Sequence, residues 1–259
     1  MLQRIATALI SIPVILGLLY MGGTYTQLLV IVLVFIGLFE FGQLAPKPVF
    51  WDVLWLFGLS YPLLVFTRPL DDSGIYWGLA MMLYYLTRGT FAKRPAILAN
   101  SHHLLGVIYV SCLYTFIWLV RDTFGFPWMM FAVIVTWVSD TGAYFIGSRF
   151  GRHKLAPIIS PNKSIEGALG GLAASVVVGA AYSGLGFIAM HWVPAAVLGL
   201  GLSAAGQMGD LAESAVKREQ AVKDSGSLLP GHGGILDRFD SLAFAVPVLY
   251  IFLHLYFRQ

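Results

Sequence analysis

The sequence predicts an all-α fold, a polytopic transmembrane helix bundle of about nine spans with a cytoplasmic N-terminus. Three observations predict it. The first is composition: of 259 residues, 58% are hydrophobic and only 11% charged, against about 25% charged in a soluble domain. A water-soluble chain this apolar would expose large adhesive patches, so lipid must be the solvent for most of its surface. The second is the spacing of the apolar runs, near 5–21, 27–45, 50–66, 75–87, 104–120, 127–147, 165–190, 193–216 and 241–257. Most approach the roughly 20 residues needed to cross a bilayer. The third is charge. If the N-terminus starts inside, all but Arg68, Arg121 and Arg258 of the 16 Lys and Arg residues fall on the cytoplasmic side, the bias expected of inward-facing loops. A wrong helix count would scramble that alternation.

The first run, residues 1–23 with Arg4 ahead of an apolar stretch, resembles a signal peptide but lacks a small-x-small cleavage site; a retained first helix is expected. The lone Cys112 excludes an intramolecular disulfide framework and multi-cysteine metal sites. A net charge of +3 is read as topology and headgroup binding in the lipid bilayer rather than as a nucleic-acid surface. Residues 1–136 are expected to form scaffold helices. Residues 137–259 are expected to carry two cytoplasmic loops that build a catalytic site, all within one structural unit.

Polar residues inside apolar runs mark where that chemistry sits. Ser203, Gln207, Asp210, Glu213, Ser214 and Lys217 fall on one helical face. A carboxylate in a spanning helix costs roughly 2.5–3.5 kcal/mol near the centre, so it faces a cavity or a partner. A Glu213–Lys217 pair one turn apart would account for two of these residues and leave Asp210 unexplained. Thr136, Asp140 and Tyr144 share a face of the 127–147 run. Asp140, with no basic residue before Arg149, would need a metal, a base from another helix or a structural hydrogen bond. The segment 151–167 leads into a helix start, with Ser164 as its expected N-cap, Lys163 beside it, and Gly167, Gly170 and Gly171 allowing close backbone approach. From 214 to 240, Asp224, Asp237 and Asp240 with Lys217, Arg218, Lys223 and Arg238 bracket a turn containing His232, Gly233 and Gly234. Hard oxygen donors without cysteine suit Mg²⁺, and glycine backbone N–H groups suit phosphate.

The segment Ser214-x-x-Lys217-Arg218, Lys223-Asp224, Pro230-x-His232-Gly233-Gly234-x-x-Asp237-Arg238-x-Asp240 resembles the signature of the phosphatidate cytidylyltransferase (CDP-diacylglycerol synthase) family. Trp137, Asp140, Ala143, Tyr144 and Gly147 resemble its upstream motif. Ser160-Pro161-Asn162-Lys163-Ser164 with Glu166-Gly167 resembles its S-P-x-K-T-x-E-G loop, with Ser164 where threonine is common. The resemblance is specific over 137–240. It implies transfer of CMP from CTP to phosphatidate, a homodimer, and a bacterial inner membrane with the site facing the cytoplasm. On that footing Asp224, Asp237 and Asp240 are expected to hold Mg²⁺, with Asp140 completing the site and a second metal ion left open. Lys217, Arg218, Lys223 and Arg238 are expected to clamp phosphates. Lys163, Ser164 and Ser214 are expected to bind substrate, and His232, Gly233 and Gly234 to receive the leaving pyrophosphate. Two other readings stay open: another CTP-dependent membrane-lipid enzyme, such as a polyprenol kinase-like protein, and a transporter of a phosphorylated solute. A CDP-alcohol phosphotransferase is disfavoured because its D-x-x-D-G-x-x-A-R core is absent.

Overall fold

The computed structural model describes residues 2–45, 51–67, 72–91, 97–226 and 233–258. Helices cover each of the nine apolar runs: α1 (Leu2–Met21), α2 (Gly23–Gln43), α3 (Trp51–Thr67), α4 (Ser73–Phe91), then α5 (Ile97–Gly106) continuing through a π-helical stretch (Val107–Cys112) into α6 (Leu113–Thr123), and α7 (Phe126–Phe150), α8 (Ile165–Gly184), α9 (Trp192–Glu219) and α10 (Leu236–Phe257). The fold class is therefore all-α. Among the described residues five helical stretches are long and apolar enough to cross a membrane: Gly23–Gln43, Ser101–Thr123, Phe126–Phe150, Ile165–Gly184 and Leu236–Phe257.

The chain divides into two compact units. The first comprises Met1–Leu119 and Asp224–Leu236, the second Val120–Lys223 and Asp237–Gln259. In the first, Gly22 and Gly23 adopt positive φ of 72° and 51°, a conformation costly for other residues, and let α2 follow α1 almost without a loop. The core gathers Val30, Leu33, Val34, Leu38 and Phe41 of α2 against α3 and the π-helical stretch. Gly37 makes room for that contact, since a Cβ there would come within 2.8 Å of Val110. Aromatic rings line the α2–α3 seam, Phe35 stacking on Trp55 at 4.5 Å and Phe39 on Trp51 at 5.5 Å.

In the second unit α8 lies between α7 and α9. Its buried positions are Gly167, Gly171, Ser175, Gly179 and Ser183, one every fourth residue, so a single stripe of small side chains runs its length. A Cβ at Gly171 would lie 2.8 Å from the Ser139 carbonyl oxygen of α7, and one at Gly179 would lie 2.6 Å from that of Ala195 in α9. The same helix exposes Ile165, Leu169 and Val177. Small residues inside and large apolar ones outside is the reverse of a helix solvated by water. With the five long apolar helices, it makes this an integral membrane protein.

Two local features differ from expectation. The segment between α7 and α8 is a hairpin, β1 (Lys154–Ala156) paired antiparallel with β2 (Ser160–Ser164), with Lys154 opposite Ser164. Glu166 closes it, accepting from the Arg152 N–H at 3.1 Å and meeting His153 Nδ1 at 2.6 Å. Second, α10 begins at Leu236, ahead of the apolar run at 241. Asp237 therefore lies on its first turn, where a carboxylate complements the positive end of the helix dipole, and Asp240 follows at the start of the second.

Candidate active site

α9 presents the expected polar stripe. Ser203, Glu213, Ser214 and Lys217 are buried along it, with Gln207 and Asp210 half-buried. Its last turns carry the densest charge of the second unit. The Lys217 ammonium donates to Asp237 Oδ1 at 2.6 Å and lies 2.6 Å from Glu213 Oε2. Glu213 is 2% exposed, and neither of its oxygens receives an aligned hydrogen-bond donor. The pair one turn apart is thus present, but it is one side of a carboxylate–lysine–carboxylate triad that reaches α10.

One turn back along α9, Asp210 pairs with Lys163 of β2 and accepts a 3.4 Å hydrogen bond from Ser214 Oγ. Ser164 is the N-cap of α8, its hydroxyl accepting from the Gly167 N–H at 3.1 Å. Lys163 therefore enters from a strand that the cap fixes to the helix start. Gly147 and Gly167 pack together here; a Cβ at 147 would meet Ser164 Oγ at 3.1 Å.

Asp140 is exposed rather than buried. It lines a narrow polar cleft with Thr136, Ser139, Ser203, Gln207 and Ser241. Ser139 and Ser203 hydroxyls meet at 2.6 Å across that cleft, and the Gln207 amide donates to the Ala168 carbonyl at 3.2 Å. Tyr144, on the same face of α7, is exposed. Asp140 senses the charges of Asp210 and Lys163, and Asp240 those of Asp210, Asp140 and Lys217. Asp240 also accepts from the Ser241 N–H at 2.6 Å.

Asp140, Asp210, Glu213, Asp237 and Asp240 thus share one region of the second unit with Lys163 and Lys217. Carboxylates in excess of cations in a partly desolvated region call for a further positive charge. Hard oxygen donors suit Mg²⁺, which takes one or two carboxylates and completes its shell with water and substrate phosphate. Among the described residues no three His, Cys, Asp or Glu side chains converge into a ready-made metal cage.

Other expected residues are placed differently. Arg218 is exposed, and its guanidinium donates to the carbonyls of Ile159 at 3.2 Å and Val222 at 2.6 Å, tying the end of α9 to the hairpin turn. Lys223 and Arg238 are exposed. His232 lies outside the described residues. Asp224, Gly233 and Gly234 belong to the first unit, where Asp224 is exposed and Gly233 has a positive φ of 77°.

The sequence reading missed Glu40. It sits on α2 in the first unit, 2% exposed, and accepts from the Ile235 N–H at 2.9 Å, the Leu236 N–H at 3.0 Å and Ser225 Oγ at 3.2 Å. The backbone N–H groups of Ile235 and Leu236, just after the two glycines, are therefore taken up by a carboxylate of the chain itself. The signal was available: Glu40 is an acid inside an apolar run, the same feature that singled out Asp140.

Known proteins resemble the chain over nearly its whole length. The profile of the cytidylyltransferase family matches residues 2–256. The chain is similar to the phosphatidate cytidylyltransferase of Bacillus subtilis (strain 168), at 35% identity over 99% of this chain and 98% of that one. It is similar to the Staphylococcus haemolyticus (strain JCSC1435) protein of the same name, at 37% identity over 96% and 98%. A Staphylococcus aureus (strain COL) phosphatidate cytidylyltransferase is 44% identical over 68% of this chain and 67% of its own.

Proposed function

The chain belongs to the cytidylyltransferase family, and from that membership we propose that it transfers CMP from CTP to phosphatidate, yielding CDP-diacylglycerol and pyrophosphate. A phosphate oxygen of phosphatidate attacks the α-phosphorus of CTP. The bond from that phosphorus to the bridging oxygen breaks, and pyrophosphate leaves with the electron pair. A phosphomonoester with a second pKa of about 6 is mostly dianionic at neutral pH, so the nucleophile needs no strong base. The difficulty is bringing two polyanions together, and positioning and electrostatic stabilisation must supply the rate.

The observation that carries this reading is the Glu213–Lys217–Asp237 triad beside the Lys163–Asp210 pair. Both lysines are held by carboxylates at one end of α9. An arriving phosphate takes the place of a carboxylate partner, so each lysine exchanges one anion for another. Asp237 and Asp240, three residues apart on α10, and Asp140 across the cleft are the side chains that would hold Mg²⁺. When bound, that ion neutralises charge on the transferring and leaving phosphate oxygens. The chain's own part is to orient the phosphates with Lys163 and Lys217 and to keep the carboxylates fixed around them. The diacyl chains stay in the bilayer, and the site faces the cytoplasm of a bacterial inner membrane.

The test of the reaction is pyrophosphate release from CTP by the detergent-solubilised protein. Release that depends on phosphatidate, with CDP-diacylglycerol formed in equal amount, is expected. Release independent of phosphatidate, or phosphorylation of a lipid alcohol with CDP as product, would overturn the assignment. For the topology, single cysteines in a Cys112→Ser background are expected to react with an impermeant reagent from the cytoplasm at Lys154 and from outside at Asp72. Labelling of Asp72 from the cytoplasm would show that the helices before it are miscounted.

Lys163 stands at a helix start, where an anion already charged in the ground state is best held. Lys163→Ala is expected to raise the apparent KM for CTP or phosphatidate about tenfold while changing kcat less than about threefold. Steady-state kinetics with each substrate varied in turn would show it. A fall in kcat at unchanged KM would place Lys163 on charge that develops only in the transition state.

A further inference from the structure

We propose that Glu40 is a positioning residue for the transfer reaction, acting by fixing residues 234–236 where the chain enters α10. Its carboxylate receives the Ile235 and Leu236 N–H groups at 2.9 and 3.0 Å, one on each oxygen, and the Ser225 hydroxyl at 3.2 Å. These are the otherwise unpaired donors of a helix start, here satisfied by an acid 195 and 196 residues away in sequence. Gly226 and Gly234 leave room for this side chain. A Cβ at Gly226 would come within 2.9 Å of Glu40 Oε1, and one at Gly234 would collide with Glu40 Oε2 and Ser225 Oγ. Gly233, beside it, takes the positive φ of 77° that brings the backbone round. Two glycines thus serve to let the backbone close on a buried carboxylate.

The hold ends one peptide bond before Asp237. A charge-assisted bond from backbone N–H to carboxylate is roughly twice as strong as a neutral one, and a buried ion is retained only where its hydrogen bonds are complete. Glu40 has those donors and lies in an apolar helix, where a merely tolerated acid is costly. Fixing the Ile235 and Leu236 peptides restricts the backbone of Asp237, the next residue in the chain, and a group used in the reaction gains from restricted freedom. The inference rests on the role given to Asp237 above.

The test compares Glu40→Gln, Glu40→Asp and Asp237→Asn in the full-length, detergent-solubilised protein. Glutamine keeps the shape, removes the charge and turns an NH₂ group toward a backbone donor. In Glu40→Gln, amide hydrogen exchange over 233–240 is expected to speed up about tenfold or more while 241–257 is unchanged. Its kcat should fall at least about tenfold with the KM for CTP within about threefold. Glu40→Asp, which keeps the charge, should recover part of the kcat. Unchanged exchange in Glu40→Gln would overturn the hold itself. Faster exchange with wild-type kcat, or a loss of activity in both variants that only tracks the folded fraction, would overturn its bearing on the reaction. If Glu40→Gln does not fold, kcat per folded molecule of Glu40→Asp decides the point, and a wild-type value rejects the proposal. Undiminished turnover in Asp237→Asn would instead sink the reading of the site, while the exchange measurement still reports on Glu40 alone.

Discussion

Asp237→Asn is expected to lower turnover by about 100-fold or more while leaving the protein folded. The amide matches the carboxylate in shape and can still accept from Lys217, whose ammonium keeps Glu213 as its charged partner at 2.6 Å. Packing at the start of α10 is therefore retained. What disappears is a full negative charge that the proposed mechanism uses to hold a divalent cation against the phosphates. Charge stabilisation of that kind contributes several kcal/mol at the transition state, and about 2.7 kcal/mol already corresponds to 100-fold in rate. The measurements are kcat at saturating substrates, a Mg²⁺ activation curve and the thermal midpoint in detergent. Near-normal activity at limiting Mg²⁺ would remove Asp237 from the ion's ligands.

Lys217→Met should be the more damaging change, because it strikes stability as well as rate. Methionine fills the same space without charge, leaving Glu213 and Asp237 facing each other with the cation between them gone. Their side chains are 2% and 9% exposed, so water does little to screen them. Removing one member of a buried ion pair costs about 3–5 kcal/mol, which a thermal melt in detergent would register as a drop of several degrees. Turnover should fall by more than about 100-fold, since the same ammonium is assigned to substrate phosphate. Adding Glu213→Gln to Lys217→Met separates the two losses. The double variant should regain most of the stability and none of the turnover. Recovery of turnover as well would mean that Lys217 only balances the charge of its neighbours.

The sequence made the α9 stripe legible because helical spacing is a local property, and Ser203 to Lys217 fall on one face whatever surrounds them. The Ser164 cap was legible for the same reason. Where the reading fell short, the deciding contacts were distant. Hydropathy placed the last apolar run at 241, yet α10 starts at Leu236, since the start of a helix tolerates Asp237 and Asp240 that a window average scores as loop. Asp140 was expected to need a partner from elsewhere, without any sign of which elements would meet it. Its hydroxyl-lined cleft draws Ser203 and Gln207 from α9 and Ser241 from α10, a grouping no single segment announces. Arg218 matched the basic signature, but its donors go to carbonyls at 159 and 222, and a backbone acceptor leaves no trace in residue identity. Glu40 carried a local sign, an acid inside an apolar run, but its partners lie almost at the other end of the chain.

The stripe of glycine and serine along α8 has a mechanical consequence. Where backbone rests directly on backbone there are no long side chains to change rotamer, so a push on one helix cannot be absorbed by repacking at that seam. The outward positions Leu169 and Val177 can drift among oily residues with little effect, whereas a single added methyl at 171 or 179 would wedge the wall apart. The wall behind the lysine–carboxylate cluster is in this sense a stiff plate, and its tolerance to substitution differs sharply between its two faces.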